Sequence, residues 1–444
     1  LGPACDDEEI LKQLIIEDLD GARFNFSHGT HPEHKVRLER FRKVESEMGM
    51  KIPCILDTKG PEIRTGNFAE PVKLQEGQKF TFTINETDGD INHCTVSHKG
   101  IVNDVKPGDK ILIDDGLIIT EVESLTETDV VVKVLNPGVI KSHKGINIPG
   151  VKVTLPSLTD KDISDLKFGV ENGFDYVAAS FIRSKKDELV IRKILDDFGG
   201  QKIRIISKIE NQEGINKFDE ILSVSDGIMV ARGDLGVEIP IERVPIEQKK
   251  MIRKCVKAGK CVITATQMLD SMMANPRPTR AEVTDIANAI IDGTSVVMLS
   301  GETASGKYPV EAVRFMNTIC LETEKHLNLT ELTCSLKDFQ QKDIDNPFNY
   351  LEAVCYSQIV TANILKASAI ICLTRDGTKA RILSKFKGRC PIFAITADES
   401  SARSLSLEWN IQQIYVEKCE NFEDLIQQGI KKLKEMNLLN TGDT

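Results

Sequence analysis

Seven short apolar runs recur through the first three hundred residues, and nearly all of them end on charged or hydroxylated side chains. They read GARFNF (21–26), PCILDT (53–58), DYVAASF (175–181), IRIISKIE (203–210), GIMVAR (227–232), CVITAT (261–266) and SVVMLS (295–300), with segments of helical pattern between them. Short apolar strands alternating with helices are the signature of parallel βα units. A closed parallel barrel takes eight such units, which makes the expected fold α/β and the core a (β/α)8 TIM barrel, with the remaining strand ahead of Leu1.

Between Thr65 and Leu155 the pattern changes to alternating strands and turns such as KPGDK and IDDGLI. An inserted all-β barrel module is expected there, splitting the parallel barrel after its third strand. From about Leu327 the βα alternation resumes, with strands expected at AIICLT (369–374), PIFAIT (391–396) and IQQIYV (411–416). The 444 residues exceed one ordinary core, and roughly two to four domains are expected from length alone. The division drawn is a barrel over 1–63 and 156–325, a β-barrel lid over 64–155 and a C-terminal α/β domain over 326–444. The chain opens on LGPACDDEEI without methionine or a signal-peptide pattern, and NTGDT reads as the entry to a further strand. Both ends therefore read as clipped.

Composition excludes several classes of function. The formal charge of −10, without basic runs, argues against nucleic acid as the main partner. With 41% hydrophobic and 28% charged residues the chain resembles an ordinary globular protein, and it has no apolar run of membrane-spanning length. Eleven scattered cysteines without a C-x-x-C pair read as buried free thiols, which places the protein in a reducing, cytoplasmic compartment.

The active face of a parallel barrel is its C-terminal rim, where residues from several strand ends meet. Here the ends supply Arg23, Asn25 and Ser27; Asp57 and Thr58; Ser180; Lys208 and Glu210; Arg232 and Asp234; Thr266; and Ser300. Lys208 and Glu210, two apart on a strand, emerge on one side. Arg23 and Lys208 are suited to a phosphoryl group, and Glu210 with Asp234 to Mg²⁺ (or Mn²⁺) through hard oxygen ligands. The ARGDLG segment, read as a turn, offers glycine amides to an anion. Asn25, Ser27, Asp57 and Thr58 combine one carboxylate with neutral oxygens, a set of low charge that favours a monovalent cation such as K⁺. This is a kit for phosphoryl transfer; a structural ion-pair network capping the barrel is the competing reading.

Two other motifs are weaker. HGTHPEH places His28, His31 and His34 three apart, but Pro32 and the preceding strand favour a turn and a helix start over zinc binding. TRDGTKAR (374–381) follows a strand and opens a helix, so it reads equally as a phosphate cradle or a plain βα turn, with Asp376 opposing an anion.

Taken together, ARFNFSHG, LDTKGPEIRTG, SKIENQEG, ARGDLGVE, ATQMLDSM and NPRPTRAEVTDIANAIIDGTSVVMLSGETASGKYP resemble the pyruvate kinase family over nearly the whole chain. The resemblance implies a glycolytic transferase that moves the phosphoryl group of phosphoenolpyruvate to ADP, using Mg²⁺ and K⁺. It assigns Arg23, Lys208, Gly233, Asp234 and Thr266 to phosphoenolpyruvate, with Arg23, Lys208 and Thr266 as the catalytic set. Asn25, Phe26, Ser27, His28, Arg64 and Lys144 fall on the nucleotide side, the last two making the inserted module a lid. It also implies a homotetramer assembled through the barrel and the C-terminal domain. A metal-dependent barrel lyase is the alternative enzyme class, although such an enzyme has no use for a nucleotide lid.

Glu62 of DTKGPEIR carries a further implication. Relatives that dispense with potassium tend to carry lysine there, so a glutamate implies a K⁺ requirement. Two features depart from the family pattern. IIEDLDGARF replaces a small-residue stretch ahead of the second strand, a change that concerns packing. Asp376 and Lys379 replace a Ser/Thr-rich loop, which sets the chain apart from sugar-bisphosphate-activated members.

Overall fold

The computed structural model describes residues 1–327, 347–417, 419–440 and 442–443. Seven parallel strands form one curled sheet: β1 (Ala22–Asn25), β2 (Cys54–Asp57), β3 (Tyr176–Ala179), β4 (Arg204–Ile209), β5 (Gly227–Ala231), β6 (Cys261–Ala265) and β7 (Val296–Val297). Neighbours in the sheet are neighbours in strand order, as short right-handed βα crossovers dictate. The strands are apolar at successive positions because both faces are covered; β3, β5 and β6 are buried at every residue.

The inner face packs Ile55, Tyr176, Ala178, Ile206, Met229, Cys261, Ile263 and Ala265 into one cluster. Alternate residues such as Leu56, Val177, Ile205, Ile228 and Val262 pack outward with the helices. Because side chains alternate, Lys208 and Glu210 lie on the same inward side as Ile206, above the packed interior.

Residues 63–147 supply a second, mainly antiparallel sheet of seven strands, in which Ile63–Arg64 pairs with Gly145–Asn147. A bridge between Thr65 and Val96 brings its two edge strands together, and the module has its own core of Phe80, Phe82, Ile111, Val130, Val132 and others. It enters the chain after β2. Three parallel strands, Ile370–Leu373, Ile392–Thr396 and Ile411–Tyr415, form the C-terminal sheet. The stretch after the expected junction at 325/326 includes 328–346, which lie outside the described residues, as do two residues of NTGDT. No helix among the described residues is long and apolar enough to cross a membrane.

The C-terminal domain plugs the barrel from the face opposite the charged strand ends. Leu407 joins the inner barrel cluster, Tyr176 donates through its hydroxyl to Ser404 O at 2.8 Å, and Cys261 Sγ donates to Leu407 O at 3.3 Å. The IIEDLDGARF segment meets a barrel helix through surface polar contacts: Glu17 pairs with Arg314 and Asp18 accepts from Asn317, both on helix Pro309–Glu324.

Beside this plug, Lys387 is 4% exposed and its Nζ lies 4.5 Å from the ring centre of Trp409, the single tryptophan. Burial pushes its ammonium down to about 7, against the opposing pull of Glu408. Below about 7 the folded and unfolded chains both carry the proton, and the burial cost is fully present. Between about 7 and the ordinary value of 10.5 only the unfolded chain holds it, so stability rises with pH. Urea midpoints followed by Trp409 fluorescence at pH 7, 8 and 9 are expected to show a Lys387 contribution of up to about 1.4 kcal/mol per pH unit. The Lys387→Met variant is expected to lose that slope.

Candidate active site

Lys208 ends β4 with its Nζ 3.1 Å from Asp57 Oδ1, 2.7 Å from Ser180 Oγ and 3.0 Å from Glu210 Oε1. Burial works against its charge, but Asp57 and Glu210 outweigh burial and hold the ammonium above the usual lysine range. Asp57 is shared: its other oxygen accepts from Arg23 Nε. Parallel pairing of β1 and β2 sets Arg23 beside Ile55 and Asn25 beside Asp57, so adjacent strands deliver the guanidinium and its carboxylate together. Burial raises the Asp57 carboxyl, but Arg23 and then Lys208 reverse this and leave it below its ordinary value.

Glu210 is fully buried. Its Oε2 accepts from Phe181 N at 2.6 Å, while its Oε1 accepts no hydrogen bond from any described residue, although Lys208 stands close. Burial pushes its carboxyl up to about 7; Lys208 opposes the shift and Asp234 adds to it. Asp234 is raised for the same first reason, with Glu62, Asp115 and Asp57 contributing repulsion against the pull of Lys208. Two cations thus face three close carboxylates, Asp57, Glu210 and Asp234.

Glu210 and Asp234, both raised by burial and by repulsion from neighbouring carboxylates, present hard oxygens and negative charge that fit a divalent cation. The described residues contain no cluster of three or more metal-ligating side chains.

Local backbone geometry holds the rim. The ARGDLG segment forms a helix, Arg232–Glu238, directly after β5 rather than the expected turn. Gly233 N donates to Thr266 Oγ1 at 2.9 Å, and a Cβ at Gly233 would meet Thr266 only at ordinary contact distance; its value is therefore an amide rather than open space. Thr266 has φ +68° and Phe181 φ +56°. A left-handed β-branched residue is a strained outlier. The Phe181 turn is what aims its amide at Glu210, a contribution that strand patterns do not reveal.

Several strand-end residues do other work. Arg232 bonds Asp285 at 2.6 Å and the carbonyls of Ala265 and Thr266, buttressing the strained turn. Ser300 donates its amide to Glu302, which also holds Leu269 N. Phe26 buries its ring against His34, Phe168 and Phe174, and its backbone is engaged as well, the amide donating to Asp57 O and the carbonyl accepting from Lys161 Nζ, both at 2.9 Å. Thr58 Oγ1 accepts from Ser180 N, and Asn25 Oδ1 from Ser27 N.

The histidines follow the turn reading. His31 pairs with Asp165, and His34 bonds His28 O at the start of helix His31–Glu47. In TRDGTKAR, Thr378 N is taken by Asp376 and Gly377 N by Thr374 Oγ1, so two of the loop's amides are already satisfied.

Above the rim the inserted module encloses a cleft of about 720 Å³ whose lining includes Glu62, Arg64, Asp115, Lys144, Asp234 and Glu238. Lys144 pairs with Asp114 at 2.9 Å. Arg64 holds Glu62 and donates to His143 O at 2.6 Å. Sequence reasoning did not find Arg183, which ties the returning linker down through the carbonyls of Val153, Leu155 and Pro156.

A model of the pyruvate kinase barrel domain matches residues 1–313, and one of the pyruvate kinase alpha/beta domain matches 352–444. The chain belongs to the pyruvate kinase family. Pyruvate kinases of Clostridium acetobutylicum and Clostridium perfringens are 47% and 48% identical to it, over the whole of this chain and 93% of each relative. The crystal structure of a pyruvate kinase from Cryptosporidium parvum superposes with a TM-score of 0.94 at 38% identity, covering all of this chain and 91% of the other. Membership at this coverage sets the curled seven-strand sheet within the family's barrel domain and residues 352–444 within its alpha/beta domain.

Repulsion among the rim carboxylates yields a direct test. Asp234→Asn removes one half-buried carboxylate and relieves Glu210, so the metal-free variant is expected to be about 1 kcal/mol more stable than the wild type. Adding Mg²⁺ should raise the melting temperature of the wild type and leave that of the variant nearly unchanged in a thermal-shift measurement.

Proposed function

We propose how this member of the pyruvate kinase family transfers the phosphoryl group of phosphoenolpyruvate to ADP, giving pyruvate and ATP. The observation that carries the reading is the buried, charged Lys208 among Asp57, Ser180 and Glu210 beside Asp234. A β-phosphate oxygen of ADP attacks phosphorus, the bond from phosphorus to the enol oxygen breaks, and the enolate left behind is protonated at carbon. Lys208 stabilises charge on the phosphoryl oxygens in flight, a preorganised cation that needs no reorganisation at the moment of transfer. Arg23, held by Asp57, steadies the same group through its planar fork. Gly233 and Thr266 face phosphoenolpyruvate, with Thr266 on the side of the carbon that becomes the methyl group.

Glu210 and Asp234 would hold Mg²⁺ (or Mn²⁺), which when bound supplies positive charge to the phosphoryl oxygens. Asn25, Ser27, Asp57 and Thr58 would hold K⁺. With Asp57 already flanked by two cations, the remaining charge favours a monovalent ion.

Arg64 and Lys144 belong to the nucleotide side, together with the segment Asn25, Phe26, Ser27 and His28. In our reading residues 64–155 are a lid that closes over ADP and excludes water; 1–63 and 156–325 are the catalytic barrel, and 326–444 the C-terminal domain. The exposed faces carrying Ile241, Ile246 and Ile291 on the barrel, and Tyr350, Val354, Ile364 and Leu365 on helix Pro347–Leu365, support a homotetramer. Ten free cysteines among the described residues support a cytoplasmic location.

The assay is pyruvate formation from phosphoenolpyruvate, ADP, Mg²⁺ and K⁺, coupled to lactate dehydrogenase. Lys208→Met is expected to lower kcat by a few orders of magnitude, as losing one preorganised charge costs about 3–4 kcal/mol, with the fold retained by circular dichroism. Near-normal turnover would sink the assignment. Replacing K⁺ by tetramethylammonium at constant ionic strength is expected to abolish most turnover, and Glu62→Lys to relax the dependence. Because Glu62 also holds Arg64, that variant should show a raised KM for ADP. Full wild-type activity in tetramethylammonium would remove the potassium site.

A further inference from the structure

Among the described residues, one side-chain hydrogen bond joins the β module to the helix Arg232–Glu238. Asn147 Nδ2 donates to Glu238 Oε1 at 2.9 Å. Asn147 ends the strand Gly145–Asn147, three residues beyond Lys144, and this strand pairs with Ile63–Arg64 on one side and Lys110–Ile113 on the other. Moving Asn147 therefore moves Lys144 and Arg64 with it. Glu238 closes the helix Arg232–Glu238, whose first turn carries Gly233 and Asp234. A single hydrogen bond thus joins the element bearing the lid's cations to the element bearing a rim carboxylate.

We propose that the Asn147–Glu238 bond is the latch that holds the β module closed and sets Lys144 in register with the barrel's carboxylates. The inference rests on the functional reading above and deepens it, making Asn147 and Glu238 positioning residues. Glu238 is half-buried, lines the cleft, and has no lysine or arginine within ion-pair distance among the described residues. Burial raises its carboxyl, and Asn147 is the partner that opposes the shift. An amide donor to a desolvated carboxylate is a charge-assisted bond. Without it the carboxylate gains most by opening the cleft and taking up water.

Shape assists the latch one residue away. The turn Asp114–Gly116 has three successive positive φ values of 55°, 56° and 84°. Its Gly116 approaches Val237, whose Cγ1 would stand 3.9 Å from a Cβ placed there.

The test separates closure from chemistry. Asn147→Ala and Glu238→Ala are each expected to raise KM for ADP about tenfold while lowering kcat less than about threefold, and the double variant to do no worse than either single one, as coupled neighbours behave. Asn147→Asp opposes two carboxylates and should exceed the alanine effect, whereas Glu238→Gln keeps the acceptor and should stay near wild type. Asn147→Asp combined with Glu238→Gln restores a donor and acceptor pair and should recover KM to within about twofold of wild type.

Hydrogen exchange of peptides spanning 110–118 and 232–238, read without substrates, should accelerate in Asn147→Ala and Asn147→Asp and return in the paired variant. Additive single effects, no recovery in the pair, or exchange indifferent to all substitutions would each overturn the latch. Exchange that follows the bond in a protein without turnover of phosphoenolpyruvate and ADP would uphold the latch and overturn the functional reading instead.

Discussion

A lysine buried at the top of a parallel barrel and kept charged is the constraint on which the site depends. Removing an ammonium from water costs several kcal/mol, recovered only where carboxylates and hydrogen bonds surround it closely. Lys208 meets that condition through Asp57, Glu210 and Ser180, which come from three neighbouring strands. Their spacing is set by the sheet register: β2 beside β3, and β3 beside β4. The charge cluster exists because the barrel is rigid enough to hold four polar side chains within hydrogen-bond reach, and the barrel must be well packed below to tolerate the cluster above.

The two ends of that sheet are treated in opposite ways. At the charged end the chain leaves a cleft and roofs it with a β module that has its own core. At the other end Leu407 fills the barrel mouth, and Tyr176 and Cys261 reach out to the same C-terminal segment. Strain also follows function: the left-handed backbones of Phe181, Asp114 and Asp115 border the cleft, and that of Thr266 sits at the rim against Gly233, where the surrounding contacts hold them in place.

Much of this was legible along the chain. The runs that became β1 to β7 were recognisable because a strand covered on both faces must be apolar throughout, and the polar residues that end them stand out for that reason. Lys208 and Glu210 were readable as a pair because strand side chains alternate. The loss of helical period after Thr65 marked the inserted module. The reading of ARGDLG as a turn failed because two glycines outweighed a helix of only seven residues, Arg232–Glu238, whose register is fixed by Leu235 packing into the core. Arg232 and Ser300 looked like members of the site because they end strands, yet their side chain and backbone serve the rim's own architecture.

By itself the sequence determined the alternation of elements, the insertion, the charged strand ends and the motifs of the pyruvate kinase family, since each depends on residue type and spacing within a few positions. Tertiary structure decided which carboxylate Lys208 shares with Arg23, that Leu407 seals the barrel, and that Asn147 meets Glu238. Those pairs lie 34 to 151 residues apart, and no local propensity encodes them. They arise when strand register and domain docking bring distant groups into a space that water has left, where an unmatched charge or amide becomes costly enough to select its partner.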